Sequence, residues 1–333
     1  MILFRINKHI NEVLEGRPVY LEDGYSAGTA PIETYSDPKM SNRIHVVYGS
    51  HLVSSILTSP DFRQPRIADA IGSLDKHGQF KRLVDVLLSN PIQLNETEHK
   101  AAKEYYIRTM NRAAAGQAGK FEELARLAIE DFIAGSGKRI TADLTKPFVE
   151  NVILQILKEQ FDFDIESIAP LDDGNTAIFE LIHSPRKLKT KSGNVNAFLE
   201  RNAEFCDHRT KAELSLIFSF LLQGKDPLIG SLSGCLHHLA SIPQDKRADE
   251  IAELKPADLF ESARPVNYIG RTAVRDVDLD GVHIDEGDDI VVMLSTERND
   301  RDRATKNLSF GAGRHVCAGK ALSLRICQPF LDQ

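Results

Sequence analysis

The sequence predicts a mainly α-helical protein with a small β region. Apolar residues recur every three to four positions through residues 96–165 and again through residues 211–240, which is the period of an amphipathic helix. Shorter runs of β-type residues lie at 44–48, 274–284 and 289–294, with glycine-containing turns in and between the last two. The chain has 333 residues, of which 42% are hydrophobic, so it can bury a large core as one domain or as two fused ones.

Composition excludes several classes of function. The formal net charge of -7 and the absence of a long basic tract argue against nucleic acid as the main partner. The four cysteines show no Cys-x-x-Cys pairing, so neither a zinc site nor a disulfide framework is indicated, and a reducing cytoplasm is the expected setting. Residues 1–8 contain too few apolar side chains for a signal peptide or a membrane anchor, so we expect a soluble protein with no membrane partner.

The most informative segment is a glycine-punctuated run at residues 310–319, which contains a single cysteine, Cys317. Glycines on both sides of the cysteine let the backbone pass close under a flat macrocycle, where a side chain would collide. A predicted helix follows, and its first turn would stabilise the sulfur as an anion. A single thiolate can hold haem iron from one side, so Cys317 is predicted to be a metal ligand. The alternative is a buried free cysteine that acts as a small hydrophobic residue.

This run resembles the haem-binding loop of the cytochrome P450 family, which reads Phe-Gly-x-Gly-x-His-x-Cys-x-Gly. All six fixed positions are met, by Phe310, Gly311, Gly313, His315, Cys317 and Gly319. The resemblance implies a cytochrome P450-like fold that binds haem b (iron protoporphyrin IX) through Cys317. It also implies that His315 donates a hydrogen bond to one haem propionate.

Three further segments resemble parts of the family's haem site. Glu261 and Arg264 match its Glu-x-x-Arg pair, which by resemblance is a buried ion pair that supports the cysteine loop; the alternative is an exposed surface pair. Arg271 lies in a segment that resembles the strand from which an arginine reaches a haem propionate. His99 and Lys103 match the motif His-x-x-x-Arg with lysine in place of arginine, which keeps the charge but loses the bidentate fork. For His99 the alternative is a surface histidine.

The long helical run departs from the family at one position. Gly224, Lys225, Asp226 and Pro227 align with Gly-x-Asp-Thr, where the acid and the threonine manage proton delivery during oxygen activation. Gly224 and Asp226 are retained, whereas Pro227 takes the place of the threonine. Proline removes both the hydroxyl and the backbone N–H, so we expect an opened helix and atypical chemistry. The alternative is that this stretch is a surface turn outside the site.

The resemblance covers residues 40–330 and is strongest at 261–319. Sixteen residues follow Cys317, so the family's C-terminal hairpin is expected to be missing from a single domain that spans residues 1–333. The basic stretch 184–196 is interpreted as a solvated connection, with a lid over a pocket as the alternative.

The resemblance implies a haem-thiolate monooxygenase that oxidises a small organic molecule in a biosynthetic pathway, with electrons from a ferredoxin or flavoprotein. Two alternatives stay open because the threonine is absent. One is redox-neutral or peroxide-driven chemistry by a dehydratase, isomerase or peroxygenase, and the other is a non-catalytic haem-binding protein. An electron donor is predicted to dock on a group of cations near the cysteine, namely Lys100, Arg108, Arg112, Arg314 and Lys320. The alternative is that these cations form only a solvated helix face.

Overall fold

The structure is a computed structural model. It describes residues 31–36, 42–65, 81–94, 96–135, 144–163, 197, 199–246, 255, 263, 266, 268–294 and 308–331.

The described elements fall into two compact units. The first contains all of the described strands, one helix and the loop that ends at Cys317, and the second contains the remaining helices. The prediction of a mainly α-helical chain with a small β region is confirmed. The organisation as a single domain over residues 1–333 stays a prediction.

The first unit contains seven described strands: β1 (Ile32–Tyr35), β2 (Ile44–Val47), β3 (Phe62–Arg63), β4 (Tyr268–Ala273), β5 (Val277–Leu279), β6 (Val282–Ile284) and β7 (Asp289–Met293). Five of them form a mixed sheet in the order β1-β2-β7-β4-β3, and β5 and β6 form a separate hairpin. Strands β2 and β7 are parallel, and the other neighbouring pairs are antiparallel.

Strands β2 and β7 lie inside the sheet, which explains why most of their residues are apolar. All four residues of β2 and the last four of β7 are buried, as expected for strands covered on both faces. Helix α1 (Ser50–Thr58) follows β2 and packs Val53, Ile56 and Leu57 into the same core. The β-type run at 274–284 is the β5–β6 hairpin, whose turn places Asp280 and Gly281 at φ values of 49° and 80°.

A buried polar cluster joins three strands of this sheet. His45 Nδ1 lies 3.0 Å from Thr34 Oγ1, and His45 Nε2 lies 2.9 Å from Asp288 Oδ2. Arg43 donates from its backbone N–H and from Nε to the same carboxylate, at 2.9 and 3.0 Å. Burial alone would raise the pKa of Asp288, but the hydrogen bonds from His45 and Arg43 hold it below its usual value. The cluster therefore supplies hydrogen-bond partners for the buried carboxylate of Asp288, a residue that is only 3% exposed.

The second unit is helical. Its helices are α2 (Lys81–Leu88), α3 (Glu96–Gly116), α4 (Ala118–Gly135), α5 (Thr145–Phe161), α6 (Ala203–Asp207), α7 (Lys211–Ser219), α8 (Lys225–Ser241) and α9 (Lys320–Leu331). A short 3₁₀ turn, Pro91–Gln93, precedes α3, and a π-helical turn, Phe220–Gly224, joins α7 to α8.

Helix α5 shows why the periodicity in the sequence predicted this unit. Its buried apolar residues recur at three- and four-residue steps, including Phe148, Val152, Ile156 and Leu157, and form one continuous stripe. The helix packs against α8, where Thr145 Oγ1 lies 2.9 Å from Ser233 Oγ. Helix α9 packs against α3 and α4.

Candidate functional site

The glycine-rich loop of residues 308–317 is closed by its own backbone. The N–H of Gly311 donates to the Leu308 carbonyl at 2.7 Å, and the N–H of Cys317 donates to the Phe310 carbonyl at 2.8 Å. Gly311 and Gly313 have φ values of 71° and 66°, which strain any residue with a Cβ. The glycines therefore let the chain turn tightly enough for Phe310 to fix the backbone of Cys317.

Gly313 also sets how closely this loop approaches α1. A Cβ at Gly313 would lie 2.5 Å from the Leu57 carbonyl oxygen and 3.1 Å from Thr58 Cα. The neighbouring atoms belong to the backbone, so they cannot move aside as the tip of a flexible side chain would.

Gly313→Ala is expected to lower the free energy of unfolding by about 1–3 kcal/mol more than Gly281→Ala. Gly281 has a φ of 80° but nothing within 4 Å of its added Cβ, so it controls for backbone strain without the collision. Urea unfolding of both variants and the parent measures the difference. Equal losses in the two variants would contradict the close approach of the loop to α1.

Cys317 is the one exposed cysteine of the four in the chain; the other three are buried. Burial raises the pKa of the Cys206 and Cys327 thiols and raises that of Cys235 to about 12, which disfavours their thiolate forms. The alternative interpretation of Cys317 as a buried free cysteine is therefore wrong. Cys317 is therefore the best candidate among the four cysteines for ligating an incoming metal.

Arg271 supplies a buried cation in the same unit. Arg271 is 2% exposed, and its Nη1 donates to the Gly270 carbonyl at 2.7 Å. Burial, together with the nearby charge of Arg314, lowers the pKa of Arg271 to about 10. Within the described part of the chain, no carboxylate forms an ion pair with Arg271. A buried cation with a second cation close by fits a ligand that carries carboxylates, as haem does through its propionates.

Helix α3 carries the other predicted propionate contacts. His99 is 5% exposed, so the alternative of a surface histidine is wrong. Lys103 follows one helical turn later and is half-buried. Both residues belong to the helical unit, whereas His315 and Arg271 belong to the sheet unit. Their joint contact with a haem stays a prediction.

Gly224 and Asp226 lie within one continuous helical segment. Helix α7 passes through the π turn Phe220–Gly224 directly into α8, so this stretch is helical and not a loop turn. Its place in the haem site stays a prediction. Pro227 has no N–H to donate to the carbonyl four residues earlier, and its ring would collide with that carbonyl in a regular α-helix. The wider π turn is the physical solution at this point. The Asp226 side chain is 57% exposed.

A buried polar network holds this π turn in place, and no local pattern in the sequence predicted it. The Asn90 side chain donates to Ser219 Oγ and to Gln223 Oε1, both at 3.0 Å, and so spans the turn from its start to its last residues. Tyr106 donates to Ser215 Oγ at 2.6 Å and lies 3.3 Å from Ser219 Oγ. Asn90 and Ser219 are 129 positions apart, so only folding brings them together.

Lys225 is a second feature that the sequence did not reveal. It occupies the unspecified position of the motif, yet its side chain is only 3% exposed, with Nζ 3.7 Å from Glu150 Oε1 on α5. The only sequence feature that could have drawn attention to Lys225 is its position inside the motif.

Several predicted residues lie beyond these observations. Glu261 and Arg264, as well as the stretch 184–196, lie outside the described residues. Gly319 directly precedes α9. Over the described residues, no helix is both long and apolar enough to cross a membrane, and no group of His, Cys, Asp and Glu forms a metal site by itself.

Comparisons with known proteins agree on one fold. No family model matches the chain. A curated cytochrome P450 of Rhodopseudomonas palustris, CYP199A2, is 30% identical over 129 residues, which cover 32% of this chain and 30% of the relative. Linalool 8-monooxygenase of Pseudomonas putida is 26% identical over 119 residues, which cover 31% and 29%. The matches therefore span less than a third of these relatives.

Solved structures match over a much larger part of the chain. P450BioI, solved in complex with an acyl carrier protein that carries hexadec-9Z-enoic acid, matches with a TM-score of 0.69 at 18% identity, covering 91% of this chain and 86% of that one. Cytochrome P450 CREJ, solved in complex with (4-ethylphenyl) dihydrogen phosphate, matches with a TM-score of 0.66 at 16% identity, covering 92% and 90%. At these identities the likeness establishes the fold.

Proposed function

We propose that this chain, which its fold and its sequence matches support as a member of the cytochrome P450 family, is a haem-thiolate monooxygenase that oxidises a small organic molecule in a biosynthetic pathway. The observation that carries the proposal is Cys317, the one exposed thiol of the four, held at the end of a closed glycine loop. None of the four cysteines forms a disulfide, which is typical of a reducing cytoplasm.

The cofactor of the proposed enzyme is haem b, which when bound would supply the oxygen-activating chemistry. Cys317 would ligate its iron, and the backbone from Phe310 to Gly311 and at Gly319 would lie close to the macrocycle. The buried Arg271 would neutralise one propionate, and His315, His99 and Lys103 would donate to the carboxylates.

Electron supply distinguishes this function from its alternatives. The proposed monooxygenase is expected to form product only when NADH or NADPH, a ferredoxin or flavoprotein, and oxygen are all present. The test is a set of product assays in which each component is omitted in turn, with candidate small molecules selected first by binding to the ferric protein. Product formation without any reductant would contradict the proposed function.

Pro227 favours one second candidate, a redox-neutral or peroxide-driven haem enzyme. Neither reaction class requires the threonine hydroxyl that Pro227 replaces, and the first turn of α8 contains Pro227 without that hydroxyl. Such an enzyme would turn over with substrate alone, or with peroxide in place of the reductant.

The electron donor is proposed to dock on exposed cations of α3. Lys100, Arg108 and Arg112 are exposed on this helix, and Lys320 is exposed on α9, which packs against α3. Arg314 is exposed in the other unit. A cationic surface attracts an acidic ferredoxin and raises the rate of encounter.

Reversing both Arg108 and Arg112 to glutamate is expected to slow the reduction of the haem at low salt by about 10-fold or more, because the steering attraction becomes repulsion. Added salt should slow reduction of the parent. Stopped-flow reduction by an acidic ferredoxin measures both effects, with Arg126→Glu as a control at an exposed arginine of α4. Unchanged reduction in the double variant would identify these residues as a solvated helix face.

A further inference from the structure

Three side chains of the sheet unit connect an exposed hydroxyl with a buried carboxylate. Thr34 Oγ1 on β1 lies 3.0 Å from His45 Nδ1 on β2, and His45 Nε2 lies 2.9 Å from Oδ2 of Asp288, the residue before β7. Thr34 is exposed, whereas His45 is 0% exposed and Asp288 is 3% exposed. A hydroxyl, an imidazole and a carboxylate in this order form the arrangement in which a hydroxyl can act as a nucleophile.

The pairing of β1 with β2 places the hydroxyl beside the imidazole ring. Thr34 is opposite His45 in this antiparallel pair. Tyr48 donates its backbone N–H to the Pro31 carbonyl, and hydrogen-bonded pairs alternate along an antiparallel ladder, so Thr34 and His45 form a non-hydrogen-bonded pair. Side chains approach each other most closely in such pairs. The contact between the hydroxyl and the ring is therefore set by the register of the two strands.

Asp288 determines which ring nitrogen of His45 carries the proton. Its Oδ2 also accepts from Arg43 Nε at 3.0 Å and from the backbone N–H of Asp285 at 3.1 Å. Burial raises the pKa of Asp288, but its hydrogen bonds outweigh burial and hold the pKa below its usual value. An ionised carboxylate only accepts hydrogen bonds, so His45 Nε2 donates to it. In the neutral ring Nδ1 is then the acceptor, and the Thr34 hydroxyl donates to Nδ1.

A backbone donor lies next to the same hydroxyl. Strand β1 is at the edge of the five-stranded sheet. Because Thr34 belongs to a non-hydrogen-bonded pair, its own N–H points away from β2, and no strand among the described residues pairs with that side of β1. This N–H can donate to the oxygen of a carbonyl group whose carbon is attacked by Thr34 Oγ1.

We propose that Thr34 is the nucleophile of a second site, separate from the haem site, which hydrolyses small activated esters. Thr34 Oγ1 attacks the carbonyl carbon while its proton passes to His45 Nδ1, and His45 returns that proton to the leaving oxygen as the ester C–O bond breaks. Water then attacks the acyl-threonine in the same way, and Thr34 regains its proton. The ester and one water become an acid and an alcohol, so no oxidant or reductant is needed.

The three residues have different roles. Thr34 and His45 are catalytic residues, since one bonds to the acyl group and the other exchanges a proton with the reacting oxygens. Asp288 is a positioning residue, because it contacts only the far nitrogen of the ring. It holds the ring orientation and stabilises the positive charge that the ring carries during each transfer.

The test uses para-nitrophenyl acetate with the full-length holoprotein. We expect a peptide that contains Thr34 to gain one acetyl group when the reaction is stopped with acid and digested for mass spectrometry. Thr34→Val keeps the branched shape of the side chain without the hydroxyl, and it is expected to lower the release of para-nitrophenol by about 10-fold or more. Thr34→Ser, which restores a hydroxyl, should recover most of the rate. Chromatography separates para-nitrophenol from the absorption of the haem.

Thr272→Val is the matched control. Thr272 Oγ1 on β4 donates to Asp289 Oδ1 at 3.0 Å, so this change removes a threonine hydroxyl that contacts a carboxylate and not a histidine. Its rate should match that of the parent. Other exposed nucleophiles also react with the ester, but this background is the same in all of the threonine variants. Equal rates in Thr34→Val and the parent, or acetyl groups found only on other residues, would overturn the inference.

Asp288→Asn tests the positioning role. It is expected to lower kcat by about 10-fold or more and to leave KM unchanged, because Asp288 acts on the ring and not on the ester. Circular dichroism shows whether this buried variant folds; if it does not, the variants at the exposed Thr34 decide the proposal. An unchanged kcat in folded Asp288→Asn would overturn the triad. The assay needs no reductant, so its result is independent of the proposed monooxygenase.

Discussion

Replacing Cys317 with alanine is expected to abolish the thiolate-type spectrum of the reduced, carbon monoxide-bound protein. The reason is that the other three sulfurs are buried, and burial raises their pKa values, so none of them can replace the lost ligand. Visible absorption spectroscopy after haem reconstitution measures the effect. Haem that still binds through Arg271 and the other propionate contacts would show a different axial ligand.

Cys206→Ala is the matched control, since it removes a thiol that is 5% exposed and lies in the helical unit. Its spectrum should match that of the parent. A thiolate spectrum that persists in Cys317→Ala would rule out the assignment of the ligand and, with it, the proposed haem-thiolate function.

Asp226→Asn is expected to slow product formation by about 100-fold while the haem spectrum stays intact. This is the usual scale for removing a positioned acid, and Pro227 leaves no hydroxyl beside Asp226 to take over the proton. Steady-state product formation under saturating reductant measures the loss. Asp245→Asn, at an exposed aspartate beyond the end of α8, is the control for the change in charge.

Pro227→Thr should change how reducing equivalents divide between product and peroxide, because it restores both a hydroxyl and a backbone N–H. The N–H would also allow a regular α-helical hydrogen bond at the π turn. If Asp226→Asn and Pro227→Thr both match the parent in rate and coupling, this turn is not the oxygen-activating site, and the redox-neutral or non-catalytic interpretation replaces the monooxygenase.

The sequence was sufficient wherever a feature depends on residues close together in the chain. The stripe of α5 follows from apolar residues at three- and four-residue steps, and the β5–β6 turn follows from Asp280 and Gly281. The loop that ends at Cys317 was also predictable, since its two closing hydrogen bonds join residues no more than seven positions apart. The π turn before Pro227 also has a local cause, because proline cannot donate to the preceding turn.

Only the tertiary structure decided which polar side chains are buried and what they contact. Asn90 is an ordinary asparagine in the sequence, yet it spans the π turn through a contact between residues 129 positions apart. Lys225 reads as a solvent-exposed lysine, and the packing of α8 on α5 buries it beside Glu150. Arg271 was predicted from a resemblance, whereas its burial follows from the pairing of β4 within the sheet. The period of apolar residues fixes which face of an element turns inward, but the free energy of a buried charge depends on partners that only the folded chain brings together.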